Sequence, residues 1–278
     1  MNRTLIGGIA RATATAGAAD AARRLTAPAI DTSHLSGKTA VVTGAGSGIG
    51  RSLAILLAQR GAVVHAADVN GDSAVARLAD RAFQDGPVHL LFNNAGIGHA
   101  GSVADTPLGD WRRLIDVNLM GVVHGLHAFL PRLLAQDGPA HIVNTASMAG
   151  LVPAAGLSAY SATKAAVVAL SDALDVELAG TRVRVSALCP GVINTAIVAT
   201  STMRGEWAGR QARTVDLYAR RGTSPDVVAR QALAAVRRGR RIVPVPRYQV
   251  VPHWLLKRVV PPAGRALSLA SYRYLSRS

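Results

Sequence analysis

Tyr160 and Lys164 are separated by Ser-Ala-Thr, so on a helix the two side chains share one face. A phenol titrates near 10 and is a poor base at neutral pH. An ammonium group one turn away stabilises the phenolate, and a further cation nearby would add to that effect. Placed together, the pair could take a proton from an alcohol or give one to a carbonyl. Tyr-x-x-x-Lys also occurs on ordinary helix surfaces, so the pair carries weight only in company.

A second chemical signal lies in Thr43-Gly44-Ala45-Gly46-Ser47-Gly48-Ile49-Gly50, between an expected strand and an expected helix. Gly44 permits a tight exit from the strand, Gly48 lets the backbone approach a pyrophosphate, and Gly50 allows close helix–strand packing. The helix opening at about Ser47, with Ile49 in its first turn, turns free N–H groups and a positive dipole end toward phosphate. The spacing is G-x-x-x-G-x-G, and a purely structural glycine turn is an alternative reading. Asp68 follows Gly50 by 18 residues at the end of a second strand. An acid about 20 residues on accepts bonds from an adenosine ribose and repels a 2′-phosphate. No Arg or Lys occupies 44–50 or 69–71, which favours NAD over NADP. Asp68 could instead cap the following helix.

The elements that must position these residues are short apolar strands alternating with helices. Strands are expected at 38–43, 62–67, 88–92, 141–145, 183–188 and 241–245, with helices at 51–60, 111–134 and 158–179. That alternation predicts an α/β fold: one Rossmann-type, doubly wound parallel sheet covered on both faces. Residues 1–36 form an N-terminal extension, 37–250 the domain, and 251–278 a basic apolar tail. Pro252, Pro261 and Pro262 argue against one long terminal helix there.

Further motifs fall at strand ends. Asn93-Asn94-Ala95-Gly96 follows the third strand, Asn118 lies mid-helix, Ser147 ends the strand 141–145, and Pro190-Gly191 follows 183–188. In order and spacing the ensemble over about residues 37–250 resembles the short-chain dehydrogenase/reductase family. The resemblance implies a nicotinamide-dependent oxidoreductase with Tyr160 as acid/base, and Ser147 stabilising the charge that develops on the substrate oxygen. It implies that Lys164 lowers the tyrosine pKa and holds the nicotinamide ribose, and that Asn118 keeps a water in a proton relay. Asn94, Ala95 and Gly96 would line the adenosine ribose, and Pro190, Gly191 and Val192 would border the nicotinamide. Family members commonly pair through the helices 111–134 and 158–179, so a homodimer or homotetramer is expected.

One departure stands out. Asp68 and Asn93 are 25 residues apart, about half the usual interval in the family. A helix and a strand are missing there, and the text after Asp68-Val69 reads like the helix that normally follows the third strand. Six strands are expected, with the second exposed as an edge. The nicotinamide half of the site is intact and the adenine half weakened, which opens the alternative of a catalytically impaired binding or scaffold protein.

Charge separates along the chain. The formal total is +15. Residues 37–203 hold 11 basic and 11 acidic groups, whereas residues 204–278 hold 16 basic against 3 acidic, a net of +13. A neutral body with a basic C-terminal quarter does not resemble a protein that wraps itself in nucleic acid, and no nucleic-acid motif is present. Interleaved Trp254, Leu255, Leu256, Val259 and Val260 with Lys257 and Arg258 suit contact with an anionic membrane. No run of 18 apolar residues was found to span a bilayer. The single cysteine, Cys189, excludes an intrachain disulfide, and a reducing, cytoplasmic setting is expected. His124 and His127 lack an acid or cysteine arranged with them, so no metal is expected. The uncharged segment Met148 to Ala154, with His99 and Val192 to Tyr218, is the expected substrate wall, suited to a small apolar alcohol or carbonyl compound.

Overall fold

The computed structural model describes residues 29–68 and 71–277. The N-terminal extension up to residue 28, and Val69 of the Asp68-Val69 pair, lie outside the described residues.

Strand β1 (Thr39–Thr43) is wholly buried and runs through the glycine turn into α1 (Gly48–Gln59), which points Leu53 and Leu57 inward. The chain returns as β2 (Val63–Ala67), passes through α2 (Asp72–Gln84) and enters β3 (Val88–Asn93). A two-residue strand β4 (His99–Ala100) precedes α3 (Leu108–Ile115), a π-helical turn (Asp116–Met120) and α4 (Gly121–Ala135). Next come β5 (Ala140–Thr145), the short α5 (Met148–Leu151), α6 (Ser158–Glu177) and β6 (Val183–Pro190). Strand β7 (Thr202–Met203), a 3₁₀ segment (Gly205–Arg210), α7 (Gln211–Arg221), α8 (Pro225–Arg238) and β8 (Ile242–Val245) complete the body. Helices α9 (Arg247–Val259) and α10 (Pro261–Arg277) form the tail.

Six strands make one parallel sheet in the order β2-β1-β3-β5-β6-β8, while β4 pairs only with β7. The expected six strands, with the second at an edge, are what the sheet contains. β2 is accordingly the least covered strand, and Val63 is 52% exposed. The direction of winding reverses between β1 and β3. A single strand lies outboard of β1, as in the flavodoxin-like order, where the dinucleotide-binding order has two.

Helix α2 spans the short interval between β2 and β3 and covers one face of the sheet. It carries Val75, Ala79 and Ala82 into the same core as Phe129 and Leu133 of α4 and Val167 and Leu174 of α6. The Phe83 and Phe129 rings lie 5.9 Å apart, and the Arg132 guanidinium, ion-paired with Asp80, stacks 5.3 Å from the Phe83 ring. Helices α1 and α8 cover the opposite face around Leu53, Leu57, Val228 and Leu233. Burial of such side chains contributes about 1.5–3 kcal/mol each, far more than the exposed ion pair.

Helix α8 was not assigned from sequence, although its signals are present. Ser224 caps it by accepting from the Asp226 N–H at 3.2 Å, Pro225 occupies its first turn, and Gly239 ends it in the left-handed region at φ 58°. The continuous helical run 108–135 corrects a second expectation, because by length and composition it is apolar enough to cross a bilayer. In the fold it is a sheet-covering helix that buries Val122, Leu126, Phe129 and Leu133. The tail forms two helices, as its prolines predict, and the expected boundary at residue 250 falls inside α9.

Candidate active site

In a parallel sheet every strand ends at the same edge, and the functional candidates all sit just beyond those ends. β1 leads into Gly44, β2 into Asp68, β3 into Asn94 and β5 into Ser147; β6 ends at Pro190, ahead of Gly191. The register sets them in a row, with Thr43 opposite Ala67, Asn93 opposite Asn144, Thr145 opposite Leu188 and Pro190 opposite Val245. A cavity of about 670 Å³ opens along this edge. Its lining contains Gly44, Ser47, Gly48, Ile49 and Asp68 toward one end, and Ser147, Tyr160, Lys164, Pro190, Gly191 and Val192 toward the other, with Asn94, Ala95 and Gly96 between. Of the expected site residues only Gly50 and Asn118 lie behind the lining.

Both of these act through their neighbours. A Cβ on Gly50 would come 2.1 Å from the Gly44 carbonyl oxygen, so a side chain there would prise the turn from α1. Ser47 precedes α1 without its side chain capping it, and no acid occupies the first turn. The leading N–H groups therefore lack intrahelical or side-chain partners at the cavity, where an anion is favoured. Gly46 has a role the sequence did not disclose. A Cβ there would lie 2.7 Å from Asp68 Oδ2, so glycine is what lets the carboxylate lean over the turn.

Asn118 sits in the π-helical turn and is fully buried. Its Oδ1 accepts from the Ile97 N–H at 2.8 Å, and its Nδ2 donates to the Ile97 carbonyl at 3.0 Å and to Thr163 Oγ1 at 3.3 Å. Asn94 turns the other way and donates through Nδ2 to the carbonyls of Thr43 and Gly44 at 3.2 and 3.3 Å. Its neighbour Asn93 donates to Asn144 Oδ1 at 2.9 Å beneath the sheet, away from the cavity. The Asn-Asn pair thus divides into one residue that holds the nucleotide turn and one that holds the core.

The proton-handling group is buried. Lys164 Nζ donates to the Thr145 carbonyl at 2.8 Å and lies 5.9 Å from the centre of the Tyr160 ring. Burial pushes Lys164 down to about 8, partly offset by Cys189. Burial also pushes the Tyr160 phenol up to about 12, against the hydrogen bond with Ser147 that favours its ionised form. The protein alone therefore keeps Tyr160 protonated. Ser147 heads α5 and its Oγ accepts from the Ala149 N–H at 3.1 Å. Cys189 is buried and free beneath Lys164, and its thiol is pushed up to about 12 by burial, so it is unreactive.

The far end of the cavity is apolar. Met148, Ala149, Val152 and Ala154 form the wall expected from sequence, faced by Ile193, Val198, Trp207, Leu217 and Tyr218. His99 lines it too, 4% exposed. Its Nε2 is 3.4 Å from Asp110 Oδ2 without hydrogen-bond geometry, and burial lowers its pKa, so the ring faces the cavity neutral. Thr145 was missed from sequence, because its part is played by its carbonyl and nothing in the residue type signals that. His124 is half-buried and His127 exposed, and no metal-ligating cluster occurs among the described residues.

A family model for short chain dehydrogenase matches residues 63–205, from β2 to the first residue of the 3₁₀ segment. The chain is 37% identical over 258 residues to "Probable oxidoreductase EphD" of Mycobacterium tuberculosis, an alignment covering 81% of this chain but 43% of that protein. It is 40% identical over 190 residues to the cyclohexanol dehydrogenase of an Acinetobacter strain, covering 58% of this chain and 75% of that one. Among solved structures, a short chain dehydrogenase/reductase from Burkholderia phymatum in complex with NAD superimposes with a TM-score of 0.72 at 32% identity, over 81% of this chain and 94% of the other. This chain belongs to the short-chain dehydrogenase family. It spans less than half the length of the first of these relatives.

Proposed function

We propose that this protein is a nicotinamide-dependent dehydrogenase that interconverts a small apolar secondary alcohol and its ketone, or an alcohol and its aldehyde. The observation that carries the reading is a single cavity joining the glycine turn and Asp68 to Ser147, Tyr160 and Lys164, with an apolar wall beyond them. The residues fit the cofactor: open N–H donors at α1, an Asp68 carboxylate given room by Gly46, and a backbone turn pinned by Asn94 and Asn118. When bound, a nicotinamide accepts or delivers hydride at the substrate carbon. Tyr160 then moves the proton at the substrate oxygen, and Ser147 donates to that oxygen as its charge develops. Lys164 supports the tyrosine and holds the ribose, while Asn118 positions the 94–97 segment under it. Asp68, and the lack of a basic group in the turn, favour NAD over NADP. The names of relatives such as cyclohexanol dehydrogenase, and NAD in the Burkholderia structure, support this class.

The proton demand explains the raised phenol. A base held near 12 is of little use at neutral pH unless positive charge near it, from Lys164 and from the cofactor, favours the phenolate. An oxidised nicotinamide, if held by the cavity, would add its positive charge to that of Lys164. Fluorescence titration with NADH and NADPH tests the reading, with NADH binding the tighter and Tyr160→Phe retaining binding while losing about 10²–10⁴-fold in turnover. No saturable binding at millimolar cofactor would favour the second reading, a binding protein with an impaired nucleotide site. The single strand outboard of β1 supports that alternative.

A further inference from the structure

Helix α9 carries a stripe of apolar groups on the wrong side. Tyr248, Pro252, Leu255 and Val259 are spaced by four, three and four residues, which at 100° per residue confines them to an arc of about 60°. All four are exposed, Tyr248 by 72%, Leu255 by 49% and Val259 by 73%, and Val260 and Leu269 extend the patch onto α10. The opposite side of α9 is already in use. Val250 is fully buried, and Gln249 Oε1 accepts from the Val192 N–H at 2.9 Å. At the far end of the hairpin the Tyr272 hydroxyl donates to Glu206 at 2.9 Å. The hairpin is therefore held against the domain in one orientation, with its apolar stripe facing outward.

The charge carried by the hairpin itself is of one sign. No acidic residue occurs after Asp226, and residues 247–277 carry six basic groups, among them exposed Arg247, Lys257, Arg258 and Arg265. A second copy of the hairpin would bring six like charges against six. A polyanion such as nucleic acid would match the charge but would leave Tyr248, Leu255 and Val259 in water. An anionic lipid surface satisfies both sets at once, because headgroups attract the basic rim while the acyl boundary takes the stripe.

We propose that the α9–α10 hairpin docks this protein onto an anionic phospholipid surface. Its two tethers, Gln249 on the Pro190-Gly191-Val192 segment and Tyr272 on the 3₁₀ segment bearing Trp207, attach to the wall of the cavity. Docking therefore brings the apolar end of the cavity close to the membrane, where a water-poor substrate would be dissolved. The docking itself does not depend on the catalytic reading, and its test uses no cofactor.

The test is co-sedimentation of the full chain with extruded vesicles of phosphatidylcholine alone or mixed with phosphatidylglycerol. Binding to the mixed vesicles, weak binding to the neutral ones and release by salt are expected. Leu255→Asp with Val259→Asp should weaken partitioning roughly tenfold per side chain withdrawn. Lys257→Glu, Arg258→Glu and Arg265→Glu together should weaken it by about fivefold or more per charge. All five positions are exposed, so thermal melting should be unchanged. The proposal is overturned by no binding to phosphatidylglycerol vesicles at low salt, or by variants that sediment like the parent. It is equally overturned if Leu255→Asp with Val259→Asp turns a dimer into a monomer by light scattering. Duplex-DNA binding untouched by those two changes, without vesicle binding, would also overturn it.

Discussion

Asn118 closes a two-bond clasp on the backbone of Ile97, accepting from its N–H at 2.8 Å and donating to its carbonyl at 3.0 Å. The clasp is available because the helix 108–135 is widened by a π turn at Asp116–Met120, which aims the Asn118 side chain at the loop after β3. Gly96 lets both partners in: a Cβ there would lie 3.1 Å from Asn118 Oδ1 and 3.3 Å from Lys164 Nζ. A buried amide in a helix otherwise devoted to covering the sheet thus holds the floor beneath Lys164.

Replacing Asn118 by Leu keeps the branched outline, with more bulk, and removes both bonds, leaving the Ile97 N–H and carbonyl without partners. Each such group costs about 1–3 kcal/mol. Urea denaturation should show a loss of about 2 kcal/mol or more, together with weaker NADH binding. A loss no larger than a surface substitution gives, about 0.5 kcal/mol, would show that the clasp contributes nothing.

The raised phenol sets the pH dependence of turnover. With Tyr160 as the proposed base, alcohol oxidation draws on its phenolate, so its kcat/KM should climb with pH up to the pKa in the loaded enzyme, and carbonyl reduction should fall over the same range. Burial alone places Tyr160 at about 12, and positive charge in the cavity lowers it from there. Lys164→Met should shift the oxidation profile to higher pH. A profile that stays put would remove Lys164 as the group supporting Tyr160.

Asp68 and Gly46 should act as a pair in choosing the cofactor. Asp68→Asn removes the charge that repels a 2′-phosphate and should shift the NADH-to-NADPH affinity ratio toward NADPH by about tenfold, 1.4 kcal/mol, or more. Gly46→Ala should displace the carboxylate, since its Cβ would sit 2.7 Å from Asp68 Oδ2, and move the ratio in the same direction. An unchanged ratio in both would show that the carboxylate plays no part in choosing the cofactor.

His141 predicts an acid weakness remote from the cavity. It is fully buried on β5, with Nε2 2.7 Å from Ser186 Oγ, which itself donates to the Arg240 carbonyl at 2.5 Å. Burial, reinforced by Arg184, holds its pKa down to about 3 against an ordinary 6.5. The unfolded chain therefore takes up this proton first as pH falls. The stabilisation is complete above about 6.5 and is lost toward 3 by about 1.4 kcal/mol per pH unit for this group. Unfolding free energies of the parent and of His141→Gln, measured between pH 7 and 4.5, should converge as the pH falls.

The strands and the nucleotide turn were legible because their signals are local: apolar runs of five or six residues, glycines at fixed spacing, Asp68 18 residues after Gly50. Tyr160 and Lys164 were legible for the same reason, since four residues on a helix fix their geometry. Ser224, Pro225 and Gly239 mark α8 just as locally, as cap, first turn and left-handed stop. The short interval from Asp68 to Asn93 was visible, but not how the chain spans it: α2 crosses directly to the α4 face, where Phe83 meets Phe129.

What the sequence determined by itself was the fold class, the presence of the chemical groups and the separation of charge along the chain, all of which depend on residue type and near spacing. Only the tertiary structure decided that burial pushes the Tyr160 phenol still further up, that Gly46 makes room for Asp68, and that the α9 stripe faces outward. Each of those depends on what is buried against what, between residues as far as 66 positions apart in the chain, and such approaches are set by the parallel sheet that brings every strand end to one edge.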